Sequence, residues 1–319
     1  MRIAMPYTRL RVEEQLLLDA FQAAGVHVDP LDTRTVILAL HEPDRWRTYD
    51  AVFDRSLSLT ASLTIGRVLE GWGVRCVNPI RTVEVCSDKL HTSIALVRDG
   101  IPTPQVRVAV SPDAALDAIE QMGYPVVLKP TVGSWGRLVA RVNDRDAAEA
   151  LIEHRDTLGS VQHAVFYIQE HIDKPGRDIR VFVIGGEPIA AITRTSRHWV
   201  TNTARGATAA NQPLTPEIRD IAARAAAAMR GDAVAIDLLE CPRRGLLVNE
   251  INHSMEFRNS ITTTGVDIPG LLVRQVIAAA SHRAADAGHP REQPVASPVS
   301  SSPRPSSALP TAQVEAMTP

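Results

Sequence analysis

Apolar residues recur at helical spacing between Arg9 and Ala24 (Leu10, Leu17, Ala20, Phe21, Ala24) and stop at Gly25, which predicts an amphipathic helix closed by glycine. Short apolar runs flank it. Met1–Met5 and Val26–Leu31 read as buried strands, and Asp50–Arg55 as a third. Leu59–Trp72 predicts a second helix, which leads into a fourth strand, Val74–Asn78. Strands that alternate with helices imply a parallel sheet with crossovers. Residues 1–85 are therefore expected to form a small Rossmann-like α/β domain. No G-x-G-x-x-G follows its first strand, so dinucleotide binding is not supported.

Beyond residue 85 the pattern changes to α+β. Ser87 is the expected N-cap of a helix Asp88–Arg98, ended by Gly100 and Pro102. Tyr124–Pro130 and 138–142 read as strands around the turn 131–137, followed by a helix Asp144–His154. Strands 165–172 and 178–184 come next, with the turn 185–188 leading into IAAITRT. Thr215 and Pro216 start a helix whose apolar face is Ile218, Ile221, Ala222, Ala225 and Met229. Residues 234–240 and 245–252 predict a hairpin, and Ile268–Ala280 the last helix. Residues 86–160 and 161–282 are read as two subdomains. Past Ser281, Pro, Ser and Ala dominate, so 283–319 is expected to be a disordered tail.

Composition narrows the classes. The chain has 319 residues, 45% of them apolar, enough for two or three small domains with shared buried surface. A net charge of -2 argues against a general nucleic-acid binder. Cys76, Cys86 and Cys241 form no Cys-x-x-Cys pair, which fits reduced thiols in a cytoplasm rather than a disulfide framework or structural zinc. The first residues lack the apolar core of a signal peptide, and no apolar run is long enough to span a bilayer.

Candidate chemistry concentrates in the final hairpin. Pairing about a turn centred between Arg243 and Arg244 sets Asp237 opposite Glu250, with Asn252 on the same face. Opposed carboxylates are unfavourable unless a cation lies between them, and an oxygen-only set suits Mg²⁺ bridging to phosphates. An edge hairpin with a wet polar face is the competing reading. A second signal is Lys129-Pro-Thr-Val-Gly133-Ser134-Trp135-Gly136-Arg137. Its glycines allow backbone N–H groups to cradle phosphate oxygens, and Lys129 supplies a point charge, although the order is not that of a P-loop. A third set, Lys89, Arg180, Arg194 and Arg205, could form the cationic half of a phosphoryl-transfer site. Taken singly, each of these reads first as a solvated surface charge.

The order Lys89, KPTVGSWG, IQEHI, DIRVFVIGGEPIAAITR, NTARG, Asp237 and NEIN resembles the RimK-like branch of the ATP-grasp superfamily, over residues from about 85 to 280. That family also carries an N-terminal α/β (pre-ATP-grasp) domain. NEINHSMEFRNSITTTGVDIPG, 249–270, and DRSLS, 54–58, are similar to ligases acting on α-aminoadipate or glutamate in carrier-dependent lysine and arginine biosynthesis.

The resemblance implies ATP and two Mg²⁺ ions as cofactors. It also implies an amino-acid substrate, a small acidic LysW-type carrier ending in glutamate, and a cytoplasmic homo-oligomer, dimer or tetramer. Lys89 and Lys129 would contact phosphates, Lys129 also the adenine edge, beside Gly133, Ser134, Trp135 and Gly136. Gln169, Glu170 and Ile172 would line the adenine pocket, and Asp178 would face the ribose or the nearby substrate. Arg180, Arg194, Asn202 and Arg205 would bind the activated carboxylate and the γ-phosphate. Asp237, Glu250 and Asn252 would hold the metal. Arg55, Ser56, Asn259, Ser260, Thr263, Thr264 and Gly265 would lie near the amino acid. The implied reaction forms an acyl phosphate that the α-amino group then attacks. A glutamate–carrier ligase, a ligase adding glutamate to a protein C-terminus, and a non-catalytic ATP-binding regulator are the alternatives.

Overall fold

The structure, a computed structural model, describes residues 1–133, 137–159, 164–201 and 206–287, with side chains described up to residue 281 in the last helix. Its N-terminal part is a four-stranded sheet of order β2-β1-β3-β4, built from β1 Ile3–Tyr7, β2 Val28–Asp32, β3 Ala51–Phe53 and β4 Cys76–Val77. All three strand pairings are parallel, as the alternation of strands and helices requires. The helices α1 Val12–Ala23 and α3 Leu59–Gly71 supply two of the crossovers; α2 Asp44–Arg47 is a single turn.

Helix α4, Ile80–Ser87, occupies a stretch for which no element is predicted, so Ser87 ends a helix instead of starting one. Asp88 caps the following helix α5, Lys89–Arg98, accepting from Leu90 N at 2.8 Å and His91 N at 3.3 Å. Between Pro102 and Tyr124 the structure adds β5 Val106–Ala109 and α6 Pro112–Met122. The Ser111–Pro112 start of α6 repeats the Thr215–Pro216 signal that begins α8, Pro216–Met229.

A small antiparallel sheet of order β5-β8-β6-β7 uses β6 Val126–Lys129, β7 Ala140–Val142 and β8 Phe166–Glu170, and packs on α6 and α7 Arg145–Leu158. The larger sheet, of order β11-β10-β9-β12-β13, joins β9 Arg177–Ile184, β10 Glu187–Thr195, β11 Thr208–Asn211, β12 Ala233–Cys241 and β13 Gly245–Asn252.

The central strands of the larger sheet are apolar on both faces, as a sheet covered on both sides demands. Val181, Val183, Ala191, Val234 and Ile236 pack on α5 and α8. Phe182, Ile184, Ala190, Ile192, Ala233 and Ala235 share the opposite core with Ile3, Met5, Phe21, Phe53 and α10, Ile268–Ala287. That second core joins the N-terminal sheet to the rest of the chain. Asn78 reinforces the junction, donating to Ala233 O and His253 O at 2.7 Å and accepting from Ala233 N at 2.8 Å. The last helix runs to Ala287, so residues 283–287 of the expected tail are helical; 288–319 lie outside the described residues. Among the described residues no helix is long and apolar enough to cross a membrane.

Candidate functional site

On one face of the larger sheet the period-two pattern changes from apolar to charged along the strands. Phe182 and Ile184 in β9 give way to Arg180 and Asp178 on the same side. Ala190 and Ile192 in β10 lead to Arg194, and Ala233 and Ala235 in β12 lead to Asp237. The ladder then sets Asp237 across from Arg180 on one side and from Glu250 on the other, and Arg194 across from Asp178. A strand face that abandons the core pattern in register on three neighbouring strands marks a site, because burying charge carries no folding advantage unless the charges are paired.

Pairing is close to complete. Arg180 grips Asp237 with two hydrogen bonds, Nε to Oδ1 at 2.8 Å and Nη2 to Oδ2 at 2.9 Å. Arg194 reaches Asp237 Oδ2 at 3.0 Å and holds Asp178 through Nε and Nη2 at 2.7 and 2.8 Å. Burial alone would push the Asp237 carboxyl up, but Arg180 and Arg194 hold it at about 2. Both Asp178 and Asp237 are therefore engaged with arginines.

Asp237 and Glu250 are paired as predicted, by a different route. Near the turn the partners are Cys241 with Gly245 and Leu238 with Val248, one position off the predicted register. A bulge at Asn249 restores it. The bulge also aims Asn249 at the smaller sheet, where its Oδ1 accepts from Gln169 Nε2 at 3.2 Å and Lys129 Nζ at 3.4 Å. Asn249 is a site residue that the sequence reading misses. A bulge next to a paired acid leaves no trace in a period-two pattern.

The two sheets enclose a solvent-open cleft of about 1130 Å³. It brings together Lys89, Lys129, Gly133, Gln169, Glu170, Ile172, Asp178, Arg194, Asp237 and Glu250 from the predicted set, and adds Asn249, Lys174 and Thr201. Lys89 is the first residue of α5, where the helix dipole disfavours a cation. It is held there by Gly133 O, which accepts from Nζ at 2.6 Å, and by Glu250 Oε1 at 3.7 Å. Gly133 has φ +141°, a conformation side-chain-bearing residues rarely adopt, and this presents its carbonyl to Lys89. Lys129 is 4% exposed, and its ammonium lies 5.4 Å from the centre of the Tyr167 ring. Burial pulls its pKa down to about 8; Glu250 opposes the shift and Lys89 adds to it. The Glu170 carboxylate accepts from Gln105 N at 2.6 Å and from Arg244, so this turn arginine is tied to the cleft wall.

Arg194 also lines a second cavity, with Arg180, Arg11, Glu13, Glu256, Arg258 and the predicted Asn259 and Ser260. Other predicted residues lie elsewhere. Thr263 and Thr264 are in α9, Arg258–Thr264, and donate to Asn259 O and Ser260 O at 2.7 Å; Gly265 caps that helix. The Thr-rich run is thus helix and lines neither cavity. Arg55 is 2% exposed and ties the N-terminal domain to the core, through Glu14 Oε1 at 3.2 Å, Ser254 Oγ at 3.1 Å and Met255 O at 3.2 Å. Ser56 is turned to Asp54. Ser134, Trp135, Gly136, Asn202 and Arg205 lie outside the described residues.

The donor set fits a hard cation. Asp237 and Glu250 are directly opposed, and both face the cleft. Asn252, two residues further along, has a buried Nδ2 with no hydrogen-bond partner. Asn252 is not among the residues that line the cleft. Among the described residues no group of three or more His, Cys, Asp or Glu side chains could hold a metal. Two opposed carboxylates are the kind of partial oxygen set that Mg²⁺ commonly completes with phosphate oxygens and water.

Comparison with known proteins agrees with this geometry. Residues 86–276 match the RimK-like ATP-grasp domain family, and residues 3–85 the LysX preATP-grasp domain family. The chain is 33% identical over 270 residues to the α-aminoadipate–LysW ligase LysX of Sulfolobus acidocaldarius, covering 84% of this chain and 98% of that one. It is 34% identical over 278 residues to the glutamate–LysW ligase ArgX of Sulfurisphaera tokodaii, covering 86% and 98%. A RimK domain ATP-grasp protein from Sphaerobacter thermophilus superposes with a TM-score of 0.74 at 29% identity, covering 87% of this chain and all of the other. With the paired acids, the lysines of the cleft and both domain matches in place, this chain belongs to the RimK-like ATP-grasp ligases that carry a LysX-type preATP-grasp domain.

Proposed function

We propose that this protein joins the α-amino group of α-aminoadipate to the side-chain carboxylate of the C-terminal glutamate on a small acidic carrier of the LysW type, at the expense of ATP. Relatives named for glutamate are as similar as those named for α-aminoadipate, so glutamate is the second candidate. The observation that carries the reading is the shared guanidinium. Arg194 belongs both to the cleft with Lys89, Lys129, Asp237 and Glu250 and to the arginine-rich cavity with Asn259 and Ser260. In this reading a phosphate site and a carboxylate site would meet at one side chain.

Lys89 and Lys129 would bind the phosphates of ATP, and Gln169 and Ile172 would form part of the wall around the base. Asp237 and Glu250 would hold Mg²⁺, which when bound neutralises charge on the phosphates. Arg194 and Arg180 would orient the carrier carboxylate for attack on the γ-phosphorus, and the resulting acyl phosphate would react with the amine. In that scheme the arginines already present on the sheet stabilise charge through both steps, with little reorganisation. The proposal extends to a cytoplasmic homo-oligomer.

The test is mass spectrometry of the carrier after incubation with enzyme, ATP and each amino acid. A mass increase of one α-aminoadipate residue, with matching ADP, is expected. A carrier that gains glutamate alone reassigns the substrate, and ADP release independent of any carrier refutes the scheme.

A further inference from the structure

Glu13, in the first turn of α1, is 5% exposed and lines the arginine-rich cavity. Acidic residues are common in first turns, where the dipole favours them, and its neighbour Glu14 illustrates the structural use. The Glu14 carboxylate is taken up by Arg11 Nε and Nη2 at 2.9 Å and by Arg55 Nε at 3.2 Å. Glu13 differs: it has no hydrogen bond or ion pair among the described residues, and Arg11 and Arg55 act on it only at longer range. Its carboxylate therefore meets the cavity with no donor or cation of the described residues bound to it.

We propose that Glu13 seats the ammonium group of the incoming amino acid, an assignment that rests on the ligase reading above. A dicarboxylic amino acid brings two anions and one cation. Arg11 and Arg258 line the cavity beside the Arg180 and Arg194 that would orient the carrier carboxylate, and suit the anions. The nearby acids are otherwise engaged. Asp237 holds Arg180 and Arg194, Asp178 holds Arg194, and Glu256 holds Arg11 at 3.2 Å. Glu13 is the lining carboxylate left for the cation.

The same contact provides the proton acceptor the reaction needs. The ammonium proton passes to the Glu13 carboxylate, and the freed nitrogen lone pair forms the C–N bond. The C–O bond of the acyl phosphate breaks, and the departing phosphate takes the second proton.

Hydroxylamine provides the control, since it is a neutral nucleophile that captures an acyl phosphate without needing an ammonium seat. For Glu13→Gln, Glu13→Asp and the parent enzyme, the rates to compare are carrier ligation with α-aminoadipate or glutamate and hydroxamate formation on the same carrier. In Glu13→Gln the ratio of ligation to hydroxamate formation is expected to fall on the order of 10²–10⁴-fold, the usual contribution of a positioned acid–base group. KM for the amino acid should rise as well, and Glu13→Asp should recover part of both. An unchanged ratio and KM in a folded Glu13→Gln overturns the assignment. A parent enzyme that forms neither product with the carrier overturns the ligase reading instead.

Discussion

Lys129 places the demands of function and of folding in direct opposition. The residue is 4% exposed, and its hydrogen-bond partner, Asn249 Oδ1, is 3.4 Å away. Burial holds its pKa at about 8, against an unfolded value of roughly 10.4. Between those values the unfolded chain binds more protons than the folded one, so the sign follows directly: stability rises with pH across that window. At 1.36 kcal/mol per unit, the buried charge costs the nucleotide-free protein about 3 kcal/mol at pH 7, falling to roughly 1 kcal/mol by pH 9.5. Lys129→Met keeps the length of the stem and removes the charge. Without ATP it should be about 2–3 kcal/mol more stable than the parent at pH 7, with the gain shrinking as pH rises, while ADP formation is lost. Denaturant titrations at pH 7 and 9.5 read the difference, and ADP release reads the activity. A Lys129→Met protein that is less stable at pH 7, or whose gain is independent of pH, refutes the idea that this lysine is buried at a cost to meet phosphate.

Two further predictions test the paired charges. Asp237→Asn leaves Arg180 and Arg194 short of a partner and should cost on the order of 3–5 kcal/mol, besides abolishing ADP formation. In the parent, a carboxyl held at about 2 contributes on the order of 2–3 kcal/mol that is present above the unfolded value near 4 and lost as pH falls towards 2. The variant should therefore show a flatter acid-unfolding curve, and curves of equal slope would count against the pairing. Arg55→Ala removes the buried tie to Glu14, Ser254 and Met255, with a loss on the order of 3 kcal/mol and earlier release of the N-terminal domain, followed by hydrogen exchange. A variant as stable as its parent would return Arg55 to the substrate-facing role the sequence suggests.

How much of this was legible beforehand depended on whether the information was local. Helices α1, α3, α5, α7 and α8 announce themselves by spacing and caps, and the β12–β13 hairpin by two apolar strands around a short turn. The opposition of Asp237 and Glu250 was reached because the bulge at Asn249 cancels a one-residue slip in the predicted turn register. The site around it could not be read in advance. Arg180, Arg194, Asp178 and Asp237 come from strands up to 59 positions apart and meet only because a sheet aligns them; singly, each looks like a solvated charge. Arg55 looks like a substrate residue in the chain and is a buried strut in the fold.

By itself, then, the sequence determined the parallel N-terminal sheet and the order of elements apart from α2, α4, β5, α6, β11 and α9. Each depends on periodicity, turns and neighbours close along the chain. The tertiary structure decided which charges neutralise one another, which lysine is buried, and which carboxylate, Glu13, remains unpaired beside the arginines. Those outcomes depend on distance in space and on exclusion of water, and neither is written in the spacing of residues along the chain.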